Sequence, residues 1–328
     1  MSRSKANWTL LLIALIWGTT FVAQQWVMQG LGAFAYTGTR FLLGALVVWP
    51  LAWREGQRTA SRQASNAASP ILGHPKNMKN WIMKSADKAF HARLAMSDWA
   101  AMFGLGLLLF LGAALQQIGI GGTTVSNAGF LTALYVPLVP LMAWGLHGQK
   151  PHLSVWPALL GSITGTYLLS GADPTQLVAG DWWVIASTVF WAGHVVYIGR
   201  VAAHTGRPLL LATMQFATCG VVSLLWSALT ETTTWAAILG AWPAILYGGL
   251  LSVGVGFTLQ AVVQRYTRAA DAAILLSSEI LFAALAGAIV LGERLGPVQL
   301  AGCGLIFISI LIVQLVPLWL ERGEAAKA

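Results

Sequence analysis

LQQIGIGGTTVSNAGFLTALYVPLVPLMAWGLHGQK, residues 115–150, aligns without a gap with LQAVVQRYTRAADAAILLSSEILFAALAGAIVLGER, residues 259–294, at an offset of 144. Leu115 and Gln116 meet Leu259 and Gln260, Thr123 meets Thr267, and Asn127 meets Asp271. Leu131 meets Leu275, Leu141 meets Leu285, and Gly148-Gln149-Lys150 meets Gly292-Glu293-Arg294. Nearer the start, IWGTTFV (16–22) matches FWAGHVV (190–196) at an offset of 174, and Arg40-Phe41 matches Gln215-Phe216 at 175. A chain that contains itself twice is built from two related units. The offsets differ by about 30 residues, which places an insertion in the first unit, in the basic segment 54–97.

The repeated unit is apolar. The 328-residue chain is 57% hydrophobic and 9% charged, where a soluble chain carries about a quarter charged residues. Its 16 Trp and 35 Gly suit packed membrane helices with aromatic interface belts. A helix crosses the hydrocarbon core with about 20 apolar residues. Runs of that length are found at 8–28, 33–53, 99–118, 125–146, 153–170, 182–200, 208–229, 239–262, 271–291 and 297–316. The chain therefore reads as an all-α integral membrane protein with ten transmembrane helices. With the N-terminus on the cytoplasmic side, all 19 Lys and Arg fall inside except Arg40, within a span, and Arg294, outside. That is the bias of the positive-inside rule, so the net charge of +8 marks topology and not nucleic-acid binding. The first run is longer than a signal-peptide core and reads as an uncleaved span.

Five spans per unit is an odd number, so the two units face opposite ways: two inverted five-helix repeats. The first covers 1–53 and 98–170, interrupted by the basic cytoplasmic loop 54–97. An external linker, 171–181, leads to the second repeat, 182–316, and a cytoplasmic tail, 317–328. Inverted repeats characterise secondary transporters, with the substrate site near the bilayer midplane between them. The sequence resembles a ten-helix member of the drug/metabolite transporter superfamily, of the EamA-like type. The likeness rests on Trp17-Gly18, Arg40-Phe41, Leu-Gly-Glu-Arg-Leu at 291–295 and the five-plus-five repeat. It implies export or exchange of small metabolites, amino acids prominent among them, in a bacterial-type inner membrane and without ATP hydrolysis. The chain departs from the family pattern at Ile280, where a proline is common, and at Gly-Gln-Lys 148–150, where Gly-Glu-Arg is common.

Several polar residues lie inside apolar runs, where they need a partner, a proton or water. Glu279 sits near the middle of the ninth run, opposite Tyr135 in the repeat alignment. It reads as a cavity acid that binds a substrate amine or carries a proton; the alternative is a neutral acid bonded to a neighbouring helix. Arg40 shares a helix face with Thr37 and Gly44. It fits either a substrate carboxylate or an interfacial anchor, and its repeat partner is the uncharged Gln215. Trp17, Thr20 and Gln24 form one stripe, and Ser187, Trp191 and His194 form a matching one, as two walls of one cavity. Histidine side chains titrate near neutrality, so His194 is a second candidate proton carrier beside Glu279; the alternative is a histidine hydrogen-bonded between helices. The expected substrate-binding set is therefore Trp17, Thr20, Arg40, Tyr135, Trp191, His194, Gln215 and Glu279.

The expected partners are a small-molecule metabolite, the lipid bilayer and protons, with no cofactor and no metal. An intramembrane enzyme and an exporter of hydrophobic drugs are the competing readings. There is no Walker A, GxSxG or HExxH pattern. Cys219 and Cys303 fall in spans and read as buried thiols. Gly161 and Gly165 form a GxxxG packing face. In the loop, RTASRQASNAASP (58–70) reads as disordered, and WIMKSADKAFHARLAM (81–96) fits a short helix on the anionic leaflet or a solvated linker.

Overall fold

The computed structural model describes residues 1, 3–68, 94–123, 125–170, 178–290 and 296–325, and these form helices and turns without a strand. The expected surface helix over 81–96, apart from its last residues, and the Leu-Gly-Glu-Arg-Leu segment lie outside the described residues. In chain order the helices are α1 (Arg3–Val27), α2 (Ala33–Ala68), α3 (Met96–Gly121), α4 (Val125–Thr132), α5 (Tyr135–His147), α6 (Val155–Ser170) and α7 (Ala179–Thr205). There follow α8 (Pro208–Thr230), α9 (Trp235–Gly240), α10 (Trp242–Leu246), a π-helical stretch Tyr247–Phe257, α11 (Thr258–Val263), α12 (Ala269–Leu276), α13 (Glu279–Val290) and α14 (Pro297–Ala325).

Among the described residues, seven helical segments are long and apolar enough to cross a bilayer: Arg3–Val27, Ala33–Thr59, Met96–Gly121, Ala179–Thr205, Pro208–Thr230, Trp242–Tyr266 and Ala269–Val290. The run 125–146 is split between α4 and α5, of 8 and 13 residues, and 153–170 holds the 16-residue α6. α2 corrects one expectation. It continues to Ala68, through most of the stretch read as disordered, because Ala, Arg and Gln are good helix formers even where hydrophobicity is low.

Two antiparallel pairs frame the bundle, α2 with α8 and α3 with α7, and in each the partners close one another's ends. Glu231, just past α8, accepts hydrogen bonds from the backbone N–H of Phe34 and Ala35 at 2.9 Å, at the start of α2. Glu55, near the membrane exit of α2, accepts from Leu209 and Leu210 N–H at 3.1 Å, at the start of α8. Asp98 and Asp181 cap α3 and α7 in the same way through Ala95 and Val178 N–H, both at 2.9 Å. Asp98 also meets His204 at the end of α7, and Asp181 meets Thr123 just past α3. Carboxylates at helix N-termini satisfy amides that lipid cannot, and they complement the helix dipole.

α6 packs on α14, and the GxxxG face is the contact, as expected. A Cβ on Gly165 would stand 2.7 Å from the Gly302 carbonyl, so only glycine permits this approach. Cys219 and Cys303 are free thiols, the first fully buried.

Two interruptions have the same form. At the α4–α5 junction, Leu134 N–H bonds Leu131 O at 3.1 Å and Val136 N–H bonds Ala133 O at 2.9 Å. At the α12–α13 junction, Ser278 N–H bonds Leu275 O at 3.3 Å and Ile280 N–H bonds Ser277 O at 3.2 Å. These bonds span three residues instead of four, a local tightening. All four positions correspond at the offset of 144. The causes differ. Pro137 has no N–H to offer Ala133, whereas the Ser277 and Ser278 hydroxyls donate to the carbonyls of Ile274 and Leu275 at 2.8 and 2.6 Å.

Candidate functional site

The two junctions open onto one cavity. α1 supplies Trp17, Thr20, Phe21 and Gln24, spaced i, i+3, i+4, i+7 along one helical face. From the first half come also Arg40 of α2, Gln116 of α3, Thr132 of α4 and Tyr135 of α5. The second half contributes Trp191 and Val195 of α7, Ser252 and Phe257 of the π-helical stretch, Gln260 of α11, Leu276 of α12 and Glu279 of α13.

An aromatic group forms one side. Phe257 lies 4.4 Å from the Trp17 ring and stacks at 5.9 Å and 12° on Trp191. The Trp17 Nε1–H donates to the Ser252 carbonyl at 3.2 Å, while Trp191 Nε1 is buried with no partner among the described residues. Ser252 and Phe257 come from the π-helical stretch, a rare backbone form that often marks functional sites. Flat aromatic faces of this kind accept apolar groups and ammonium ions.

An amide belt forms another. The Gln116 Nε2–H donates to Thr132 Oγ1 at 2.9 Å, and Thr132 in turn donates to the Ala128 carbonyl at 2.7 Å. Gln24 and Gln117 are doubly joined, Gln24 Nε2 to Gln117 Oε1 at 2.9 Å and Gln117 Nε2 to the Gln24 carbonyl at 3.2 Å. Gln260 Oε1 is buried and unpartnered.

Two charged side chains complete the lining. Glu279, 5% exposed, makes no hydrogen bond or ion pair among the described residues. Its place follows from Gly18. A Cβ there would collide with the Glu279 carbonyl and stand 2.7 Å from Phe282 Cβ, so the glycine lets α1 press directly on the α12–α13 junction. Arg40 is 4% exposed, with its guanidinium 4.9 Å from the Tyr36 ring and 5.2 Å from that of Phe41. Its Nε is buried without an acceptor, and it has no carboxylate partner among the described residues. A buried carboxylate without a partner, and a buried guanidinium without a carboxylate, among the described residues are costly and mark a place where an ion, a proton or a charged ligand is to be accommodated.

Of the eight residues expected from sequence, Trp17, Thr20, Arg40, Tyr135, Trp191 and Glu279 are brought together in this cavity. His194 and Gln215 are not. They lie buried behind its wall, His194 Nε2 bonded to Gln215 Oε1 at 2.9 Å, and tie α7 to α8. The expected α7 stripe is corrected accordingly. Trp191 alone of its three members lines the cavity, while Ser187 donates to the Val184 carbonyl at 2.6 Å. The α1 stripe lines it in full. Phe257 and Ser252 were not anticipated: they sit in GGLLSVGVGF, an apolar run without a charged or amide marker, and the π-helical turn shifts them off the 3.6-residue period. Among the described residues no group of three His, Cys, Asp or Glu side chains could hold a metal ion.

Known proteins were compared with the whole chain. An uncharacterized transporter of Archaeoglobus fulgidus is 27% identical over 315 residues, 96% of this chain and 87% of the relative. The uncharacterized transporter YwfM of Bacillus subtilis is 23% identical over 97% of this chain and 96% of its own length. A solved crystal structure covers 98% of this chain and 100% of its own at a TM-score of 0.70 and 17% identity, a likeness of fold. The EamA-like transporter family matches residues 4–72 and 178–315, which is most of the described bundle. With its apolar helices and this family match over more than half of its length, the chain belongs to the EamA-like transporter family.

Proposed function

We propose that this protein is a secondary active transporter that exports or exchanges small metabolites carrying an ammonium group, such as amino acids. The observation that carries this reading is the unpartnered Glu279 carboxylate beside an aromatic wall, in a cavity to which both halves contribute. An ammonium group would pair with Glu279, an apolar side chain would lie on Trp17, Phe257 and Trp191, and a carboxylate would pair with Arg40. Proton binding at Glu279 removes the charge that holds the ammonium, so substrate and proton compete for one site and can move in opposite directions.

Ten spans in two inverted repeats would let one half rock against the other and expose the cavity alternately. The 36-residue alignment at an offset of 144 supports this arrangement, as does the match of the two helix junctions to it. The basic residues support an inner-membrane orientation with both termini cytoplasmic. Lys150, Arg200, Arg265 and Arg268 line two recesses with residues in common, and Arg3 pairs with Asp271 in one of them.

The test is flux in proteoliposomes under an imposed pH gradient. Glu279→Gln is expected to abolish gradient-driven transport while the protein remains folded. Equal flux by variant and wild type would remove Glu279 from the mechanism.

A further inference from the structure

A second depression lies at the basic end of the bundle, apart from the central cavity and sharing only Val195 with its lining. It is bounded by α7, the turn Gln264–Tyr266 and the start of α12. Arg200, Arg265 and Arg268 line it, with Thr267 and Gln149, and among the described residues no Asp or Glu does. An adjoining recess shares Gln149 and Arg268 and adds Lys150 and His152. Its one carboxylate, Asp271, is already held by Arg3 at 2.9 Å.

Topology explains why these cations are on one side of the membrane but not why they converge. The convergence is built by Gly199. A Cβ there would stand 2.7 Å from the Gln264 carbonyl, so the glycine allows the 264–268 turn to lie against α7. Arg200 on the helix then faces the same hollow as Arg265 and Arg268 on the turn. Arg265 is fixed: its Nε donates to the Val262 carbonyl at 3.1 Å and its terminal nitrogen to the Tyr266 hydroxyl at 3.3 Å. Arg200 and Arg268 form no ion pair among the described residues. Guanidinium forks of this kind match phosphate oxygens in pairs.

The floor is apolar, made of the buried Val195 and Val196, and Tyr266 is 41% exposed at the rim. A basic rim over an apolar floor, between helices at the end of a membrane bundle, has the two-part character of a phospholipid. We propose that this depression binds a phosphate group, with its arginines as ligands and the headgroup of an anionic phospholipid as its source. A free phosphate would engage the same arginines without using the floor. The proposal does not depend on what the central cavity carries.

The test uses the full chain in detergent micelles, with the unfolding midpoint followed by tryptophan fluorescence. Phosphatidylglycerol, phosphatidylcholine and inorganic phosphate are titrated separately. Phosphatidylglycerol is expected to raise the midpoint more than phosphatidylcholine does. Its apparent dissociation constant should weaken about thirtyfold in the Arg200→Gln/Arg268→Gln variant, the scale for two lost cations at a membrane surface. Arg54→Gln/Arg58→Gln removes two arginines outside the depression and should change nothing. Arg268→Lys keeps the charge without the fork, so severalfold weakening in that folded variant supports the site even if the double variant misfolds. If inorganic phosphate alone reproduces the variant-sensitive rise, the phosphate site stands and its source is a soluble anion. The proposal is overturned if both double variants weaken alike, if Arg200→Gln/Arg268→Gln and Arg268→Lys bind as the wild type does, or if neither anion stabilises the protein.

Discussion

The junctions at 133–134 and 277–278 share a backbone and differ in chemistry. Both tighten the helix by the same pair of bonds, and both begin a new helix with a residue that lines the cavity. In the first half that residue is Tyr135, whose hydroxyl lies 3.4 Å from the Ala273 carbonyl. In the second it is Glu279, which has no partner among the described residues. The same asymmetry recurs one helix pair away. α1 turns its whole polar stripe to the cavity, and its Trp17 indole is bonded; α7 turns only Trp191 there and commits His194 to Gln215. The two junctions share the backbone geometry that borders the cavity while the chemistry is divided, with the carboxylate from Glu279 and the guanidinium from Arg40.

The largest expected effect separates the two junctions. Glu279→Gln should lower gradient-driven flux about a hundredfold, the scale for loss of a proton-transferring group, whereas Tyr135→Phe should lower it only severalfold. Similar losses would mean the junctions are equivalent and the assigned asymmetry is wrong. Smaller is the contrast between two helical glycines, Gly18 of α1 and Gly193 of α7. Gly18→Ala drives a methyl into the α12–α13 junction and is expected to destabilise the protein by about 1–3 kcal/mol. Gly193 has 3.6 Å to its nearest neighbour, so Gly193→Ala should be neutral or stabilising. Thermal unfolding of the two variants decides this. Smallest for transport is Gln215→Leu, which strands the buried His194 nitrogen at a cost of about 1–3 kcal/mol in stability. Its flux at a permissive temperature should match the wild type. A collapse of flux in a folded protein would return His194 to the transport path.

What could be read from the sequence follows from contrast. Trp17, Thr20 and Gln24 stand out because polar or bulky groups recur at helical spacing in an apolar run, and Glu279 and Arg40 because charge is expensive there. His194 stands out equally, but periodicity gives a face and not the neighbour on that face. The α8 residue that satisfies it, Gln215, was legible only as a repeat partner of Arg40. Phe257 and Ser252 are concealed by a backbone that departs from the α-helical period. The junction at Ser277 and Ser278 carries no proline or glycine to announce it. The extension of α2 past Thr59 is concealed because the stretch is low in hydrophobicity while its Ala, Arg and Gln residues favour helix.

The central claim is that one cavity between the halves is opened to each side of the membrane in turn. The most direct measurement places a single cysteine at Thr20, in a background with Cys219 and Cys303 replaced, and follows its labelling by a membrane-impermeant thiol reagent added to either face of oriented vesicles. Labelling from both faces, slowed by a bound substrate, is the predicted result. Labelling from one face only, under every gradient and substrate condition, would contradict alternating access.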